Sequence, residues 1–231
     1  MKIAVLSDLH GNLPTIEPCD YVFICGDISP LHIQRNIVLM REWLINDFAI
    51  WVNNLSCTKV IMIAGNHDYI LLDIWNNDIK RAKYIIHPTG NKLKLLENNC
   101  TEIYDDNGNE YLVWGSPNCE IFGNWPFMYE PEQNKKDFDT MPYKCDFALT
   151  HTPPYGACDV VLQETRWPNK GHIGSPALAE AVTENQPTYL FCGHIHSGNH
   201  ECEILGNTKV YNVSILDENY EYTYPIKYIT I

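Results

Sequence analysis

Positive charge is scarce in this sequence, and so are long apolar runs. Sixteen Lys and Arg residues stand against 29 Asp and Glu residues, a formal net charge of −13. Such a surface repels a polyphosphate backbone, which argues against a DNA- or RNA-coating role. A small phosphorylated substrate is still compatible, because a local cation reverses the field at one site. No stretch approaches the ~20 apolar residues of a membrane span. The opening Met1-Lys2-Ile3-Ala4-Val5-Leu6-Ser7-Asp8 soon meets an acid, so no signal peptide is expected. Nine cysteines lie scattered without a Cys-x-x-Cys pair. That reads as reduced thiols rather than a disulfide framework, Cys25 and Cys192 ending apolar runs as small buried hydrophobes. A reactive or metal-bound thiol is the alternative. These absences point to the cytoplasm. No repeat, low-complexity tract or linker divides the chain, and residues 1–231 are read as one domain.

What is present is a β/α pattern. Lys2–Ser7, Asp20–Cys25 and Lys59–Ala64 are short apolar runs. Between the last two, the segment Leu31–Leu55 carries apolar residues, from Ile33 through Leu39 to Leu55, with the spacing of a helix burying one face. Strand, helix, strand in this order predicts a parallel sheet with right-handed crossovers. Further strands are expected at Glu110–Trp114, Asp146–Thr150, Thr188–Cys192, Lys209–Ser214 and Tyr224–Ile231. Gly115 to Pro142 reads as an irregular Pro/Asn/Trp-rich stretch. Ser175–Glu184 reads as a helix capped by Ser175 with Pro176 at its first position.

Five of these strands run directly into polar clusters: Asp8-x-His10, Asp27, Asn66-His67-Asp68, His151 and His194-x-His196. In open α/β sheets, ligand sites gather at the carboxyl ends of strands. Singly, each residue has an ordinary reading as a turn, cap or hydrogen-bonded loop residue. Together, three carboxylates, an amide and five imidazoles form the donor mixture of a metal site. Aspartate and imidazole suit Mn²⁺, Fe, Zn²⁺ or Ni²⁺, and no thiolate set favours a structural zinc. Two metals need a bridging carboxylate and can together activate one water.

The ordered pattern Asp-x-His, Gly-Asp, Gly-Asn-His-Asp, His, Gly-His-x-His resembles the calcineurin-like metallophosphoesterase superfamily across residues 8–196. The resemblance implies a mixed α/β, four-layer αββα sandwich with its site at strand carboxyl ends. It implies a first metal on Asp8, His10 and His196, a second on Asn66, His151 and His194, and Asp27 bridging them. Manganese comes first among the candidate ions. His67 would be the general acid rather than a ligand, with Asp68 as its orienting partner. Gly115-Ser116-Pro117, Phe122-Gly123-Asn124-Trp125, Thr150–Pro154, Gly171–Gly174 and Phe191–His196 look like the small brain-type metallophosphoesterase-domain subgroup and its bacterial relatives. That subgroup is associated with cyclic-nucleotide phosphodiesterase activity.

The expected reaction is hydrolysis of a phosphodiester by hydroxide shared between two metals, with His67 protonating the leaving oxygen. The alternatives are a phosphomonoesterase or protein phosphatase on the same site, or a catalytically weak metal- or nucleotide-binding regulator. Phe122 and Trp125 are candidates to stack a nucleobase, with Asn124 and His172 as polar contacts. Each also has a packing or surface reading. Arg166 is a candidate phosphate partner or a surface cation. His32, His87 and His200 are read as surface or structural. The expected partner is a small phosphate ester, without extended nucleic acid or membrane.

Overall fold

The computed structural model describes residues 1–75, 77–161 and 171–231. Arg166 and Asn76 lie outside the described residues. Among those described, the strands are β1 (Lys2–Leu6), β2 (Tyr21–Cys25), β3 (Lys59–Ile63), β4 (Leu93–Leu95), β5 (Asn99–Tyr104), β6 (Glu110–Ser116), β7 (Cys119–Glu120), β8 (Met128–Tyr129), β9 (Phe147–Thr150), β10 (Tyr189–Cys192), β11 (Glu203–Leu205), β12 (Thr208–Asn212) and β13 (Lys227–Thr230). The α-helices are α1 (Ile37–Trp43), α2 (Ala49–Asn54), α3 (Tyr69–Trp75), α4 (Asp78–Arg81), α5 (Pro131–Phe138) and α6 (Pro176–Asn185).

One sheet has the order β13-β1-β2-β3-β4 and the other β11-β12-β10-β9-β6-β5. Strands β1 to β4 are mutually parallel, and β13 closes the edge antiparallel. In the second sheet β12, β10, β9 and β6 are parallel, with antiparallel β11 and β5 outside them.

Side-chain alternation explains why the strands read as unbroken apolar runs. Ile3, Val5, Phe23, Ile61 and Ile63 face the second sheet, where they meet Phe147, Leu149 and Phe191. Ala4, Leu6, Val22, Ile24, Val60 and Met62 face outward onto Met40, Leu44, Phe48, Val52 and Leu71. On the far side, Trp114, Ala148 and Leu190 pack on Phe138, Leu178, Ala181 and Val182. Strands buried on both faces lose the usual polar alternation. The result is the four-layer αββα sandwich expected from the resemblance.

The helix expected over residues 31–55 begins later and is not uniform. Residues 31–35 form turns, with Ile33 N–H donating to Pro30 O and Asn36 N–H to Ile33 O. Asn36 then caps α1, accepting from Val38 and Leu39 N–H. Between α1 and α2 the turns widen to a π-helical segment, Leu44–Phe48. Met40, Leu44, Phe48 and Val52 are all fully buried. Steps of four residues overshoot a 3.6-residue turn by about 40° each, and the wide turn returns the stripe to the sheet. Leu39, counted in the apolar pattern, is 42% exposed.

The irregular stretch read from Gly115 to Pro142 contains β7, β8 and α5. The last, Pro-Glu-Gln-Asn-Lys-Lys-Asp-Phe, buries only Asn134 and Phe138, so it carries little apolar periodicity. Lys135 lies on α5 and reaches Glu180 at 3.1 Å. Helix α6 forms as expected, Ser175 Oγ accepting from Leu178 N–H at 3.2 Å.

Candidate metal centre

The parallel strands of both sheets point their carboxyl ends at one place, and the sheets are stitched together there. Ser7 N–H donates to Val213 O at 2.8 Å, and Ile215 N–H returns a bond to Ser7 O at 3.1 Å. Asp8 and His10 follow β1, Asp27 follows β2, Asn66 and His67 follow β3, His151 follows β9, and His194 and His196 follow β10. Asp8, His10, Asp27 and His194 all adopt left-handed backbone conformations, φ 56°, 42°, 54° and 68°. Each such residue costs on the order of 1–3 kcal/mol and persists only where its surroundings hold it. Here His10 N–H donates to Asp27 O at 2.9 Å, and His194 N–H to Asp8 Oδ2 at 3.1 Å. Two glycines permit the crowding: a Cβ on Gly65 would collide with Asp27 Oδ1, and one on Gly193 with Ser7 Oγ and Asp8 Oδ2.

The side chains converge in overlapping groups. Asp8, His10 and His196 bring ligand atoms within 4.8 Å of one another, as do Asp8, Asp27 and His151. Asp27 Oδ2 lies 3.6 Å from His10 Nε2 and 3.3 Å from His151 Nε2, so one carboxylate oxygen stands between two imidazoles. Its other oxygen accepts from His67 N–H at 2.7 Å. His151 Nε2 also meets Asn66 Oδ1 at 3.0 Å, while its Nδ1 is tied to Cys25 O at 2.8 Å. His196 Nδ1 is tied to Asp217 O at 2.9 Å, leaving Nε2 3.3 Å from Asp8 Oδ1. In both rings the far nitrogen fixes the tautomer and aims the near one.

His10 shows that the cluster suits a cation. Both of its ring nitrogens are buried without a hydrogen-bond partner among the described residues, an expensive condition for a polar side chain. Burial pushes its pKa down to about 4, with Asp27 opposing, so the ring is neutral with a lone pair to give. Burial, then His151, likewise lowers His194 to about 3. For His151 and His196 burial acts downward but is outweighed: Asp27 lifts the first and Asp8 the second, each to about 9. Asp8 and Asp27 are held well below the usual carboxylate range; burial opposes this, and His196 and His151 respectively overcome it. Carboxylates ionised at 0% and 2% exposure, with the neutral imidazoles of His10 and His194 beside them, fit divalent cations.

The expected acid and its partner are placed differently. Asp68 does not orient His67. Its carboxylate turns beneath the loops and accepts from Asp27 N–H, Ser29 N–H, Ser29 O–H and Gly65 N–H at 2.7–3.0 Å. Successive residues point different ways, and this one staples the loops after β2 and β3 together. Burial, then Asp27, raises its pKa to about 7. The partner of the His67 ring is Gln34, whose Oε1 lies 2.7 Å from Nδ1. Burial lowers the His67 pKa and Asp27 opposes it.

Of the candidate substrate contacts, Phe122 and Trp125 border the cluster and Asn124 and His172 do not. The Phe122 ring lies 5.3 Å from that of His194, and the Trp125 ring 4.5 Å from that of His67. Asn124 is exposed and offers its backbone oxygen to Tyr69 O–H at 3.4 Å. His172 is turned aside by Asp159, 2.6 Å from Nδ1, and packs on Tyr155. Two wall residues had no sequence signal, Glu218 and Tyr220, from the loop after β12. Glu218 is fixed by Ser197 N–H at 2.9 Å. The Tyr220 ring lies edge-on to His10 and His196 at 5.0 and 5.1 Å. Extending the strand-end rule to Lys209–Ser214 would have found that loop.

Fold and donor set together define a class, a two-sheet α/β protein with an Asp/His/Asn metal centre at its strand ends. The profile of the calcineurin-like phosphoesterases matches residues 1–198, and the chain belongs to that family. It is 26% identical over 234 residues to human metallophosphoesterase domain-containing protein 1, covering 95% of this chain and 68% of that protein. A UPF0046 protein of Caenorhabditis elegans is 30% identical over 246 residues, covering 95% of this chain and 57% of that one. The fold is similar to that of TT1561 from Thermus thermophilus, with a TM-score of 0.54 at 16% identity over 91% of this chain and 88% of that one. Membership implies metal-dependent phosphoester hydrolysis at a dinuclear divalent centre. No helix among the described residues is long and apolar enough to cross a membrane.

Proposed function

We propose that the chain hydrolyses small phosphate diesters, cyclic nucleotides among them. The observation that carries this reading is that two cavities share a border at the metal cluster. One, of about 290 Å³, is lined by Asp27, Asn66, His67 and Trp125. The other, of about 300 Å³, is lined by Ile121, Thr152, Val161 and Ile173. Phe122, His194 and Glu218 border both. A phosphorus atom over the cluster then has room for an organic arm on either side, which a diester possesses and a monoester lacks. Phe122 and Trp125 offer ring faces for a base, a contact worth about 1–3 kcal/mol in other nucleic-acid binders.

Asp8, His10 and His196 would hold one metal and Asn66, His151 and His194 the other, with Asp27 shared. Bound there, two divalent cations supply polarisation of the phosphoryl oxygens and activation of water. His67 is the proton donor. An amide oxygen only accepts, so Gln34 Oε1 places a hydrogen on Nδ1. Nε2 is then the nitrogen that gives a proton to the departing oxygen, and because burial lowers the His67 pKa the protonated ring that does so is the less populated form above pH 6.5. The net charge of −13 disfavours extended nucleic acid as substrate. Nine free cysteines suit a reducing compartment such as the cytoplasm.

The test is hydrolysis of bis-p-nitrophenyl phosphate against p-nitrophenyl phosphate, in metal-depleted buffer resupplied with Mn²⁺. Faster metal-dependent diester turnover is expected. Faster monoester turnover would replace this reading with a monoesterase. Silence on both with metals bound would leave a binding protein.

A further inference from the structure

Cys119 brings sulfur to the metal cluster. It opens β7 directly after Gly115-Ser116-Pro117 and is fully buried. Its Sγ, a ring nitrogen of His151 and a ring nitrogen of His194 lie within 4.8 Å of one another. The three donors come from three separate chain segments, after β6, β9 and β10, so the grouping is a product of the tertiary fold. The residue is held on both sides of its peptide. Cys119 N–H donates to Phe127 O at 2.9 Å, and Asn134 Nδ2 donates to Cys119 O at 3.1 Å. The thiol itself makes only weak contacts, 3.7 Å to Pro117 O and to the Thr152 backbone. The other buried cysteines belong to the apolar clusters, Cys25 between the sheets and Cys145, Cys158 and Cys192 under α5 and α6, with Cys158 and Cys192 Sγ also meeting backbone oxygens of β12. Among the described residues, no other cysteine falls in a group able to hold a metal.

We propose that Cys119 is a sulfur ligand of the second metal, completing a Cys/His/His set with Asn66 and Asp27 beside it. This rests on the metal assignment made under Proposed function. His151 Nδ1 is occupied by Cys25 O, so Nε2 is the nitrogen available, and Asn66 Oδ1 and Asp27 Oδ2 already lie 3.0 and 3.3 Å from it. On ligation the S–H bond breaks, the sulfur electron pair forms the bond to the metal, and the proton leaves to solvent. No oxidant or reductant is involved. Soft thiolate alongside imidazole favours Zn²⁺, whereas oxygen ligands suit Mn²⁺ and Mg²⁺. The two positions therefore differ in preference: the first, with Asp8, His10 and His196, has no sulfur, and the second is zinc-selective.

The test is spectroscopic and needs no turnover. X-ray absorption of the full chain loaded with two equivalents of Zn²⁺ is expected to show a sulfur shell near 2.3 Å beside nitrogen and oxygen near 2.0–2.1 Å. The Co²⁺-loaded protein is expected to show a near-ultraviolet sulfur-to-cobalt charge-transfer band. C119S should lose both signals and weaken Zn²⁺ binding relative to Mn²⁺ by at least about tenfold. C145S, altered at a thiol far from the imidazoles, should keep them. A wild-type protein with both sites filled and no sulfur shell overturns the proposal, as does a band that persists in C119S. If C119S fails to fold, the wild-type absorption spectrum decides alone. Diester turnover without a sulfur shell removes only the thiolate. A sulfur shell without turnover keeps the ligand and removes the diesterase reading.

Discussion

Gln34 Oε1 lies 2.7 Å from His67 Nδ1, joining the turn before α1 to the loop after β3. Residues 33 positions apart thus hold the one imidazole of the cluster that is not proposed as a ligand. The other side of that ring is bounded by Trp125 at 4.5 Å and His10 at 4.9 Å. The ring is therefore oriented by one hydrogen bond and two aromatic walls.

Removing the proton donor, H67A, should lower kcat by about 10²–10⁴ on an alkyl diester. The loss should be smaller on a p-nitrophenyl ester, whose leaving oxygen needs little protonation. Q34A, which frees the ring without removing it, should cost roughly 10- to 100-fold with the same leaving-group dependence. Q34E keeps an acceptor and should recover part of the loss. Plotting log kcat against leaving-group pKa for each variant checks the assignment. Parallel lines for wild type and Q34A would mean that Gln34 does not act through proton donation.

Metal binding should expel protons. In the metal-free protein His151 and His196 have pKa values of about 9, so both rings are charged at pH 7.5. A ligating imidazole must be neutral, so filling both sites releases about two protons from these rings. The part of the affinity set by these two rings should accordingly rise with pH and level off only above about pH 9. Titration calorimetry in buffers of differing ionisation enthalpy gives the proton count directly. A count of zero at pH 7.5 would contradict the paired imidazolium state of the empty centre.

Much of the centre was legible because it obeys a one-dimensional rule. Asp8, Asp27, Asn66, His151 and His194 each stand just beyond a short apolar run, and parallel strands carry such positions to one edge. Gln34 was not legible: it lies in a turn with no periodicity, and only the packing of α1 brings it to His67. Asp68 was misjudged for the opposite reason, since adjacency in sequence says nothing of the direction in which a side chain points. Helix α5 was missed because it buries one face through Asn134 and Phe138 alone, the former through hydrogen bonds to Cys119 O and Tyr129 O. The two-sheet sandwich was foreseen from motif resemblance. Doubly buried strands such as β1 and β2 do not themselves say which face meets a helix and which a sheet.

Away from the centre, Glu97 should make stability depend on pH. Its Oε2 is buried without a partner, and burial, then the nearby Asp137 carboxylate, raises its pKa from 4.5 to about 7, Arg81 opposing. The folded state thus prefers the protonated acid. That contribution is fully present below pH 4.5 and is lost as pH rises through about 7. E97Q carries the neutral shape at every pH. It should melt close to wild type at pH 4.5 and above it at pH 8, and parallel melting curves across that range would refute the assignment.

Gly193 sets how closely the two sheets approach at the metals. A Cβ there would lie well inside van der Waals contact of Ser7 Oγ and Asp8 Oδ2. Ser7 cannot move aside freely, since its hydroxyl donates to Cys25 O at 2.9 Å and its backbone stitches the end of β1 to the segment after β12. Overpacking of this kind costs about 1–3 kcal/mol, and here the displaced atom is a carboxylate oxygen of the cluster. G193A should therefore lower Tm and, beyond that, lose metal from the site containing Asp8, His10 and His196. G171A is the matched control, because a Cβ at that position meets nothing within 4 Å among the described residues. Metal content after dialysis, read beside the melting curve, separates the two effects. If G193A keeps two metals while Tm falls, the glycine serves packing alone; if both fall together and G171A leaves both unchanged, the close approach of the sheets is what builds the centre.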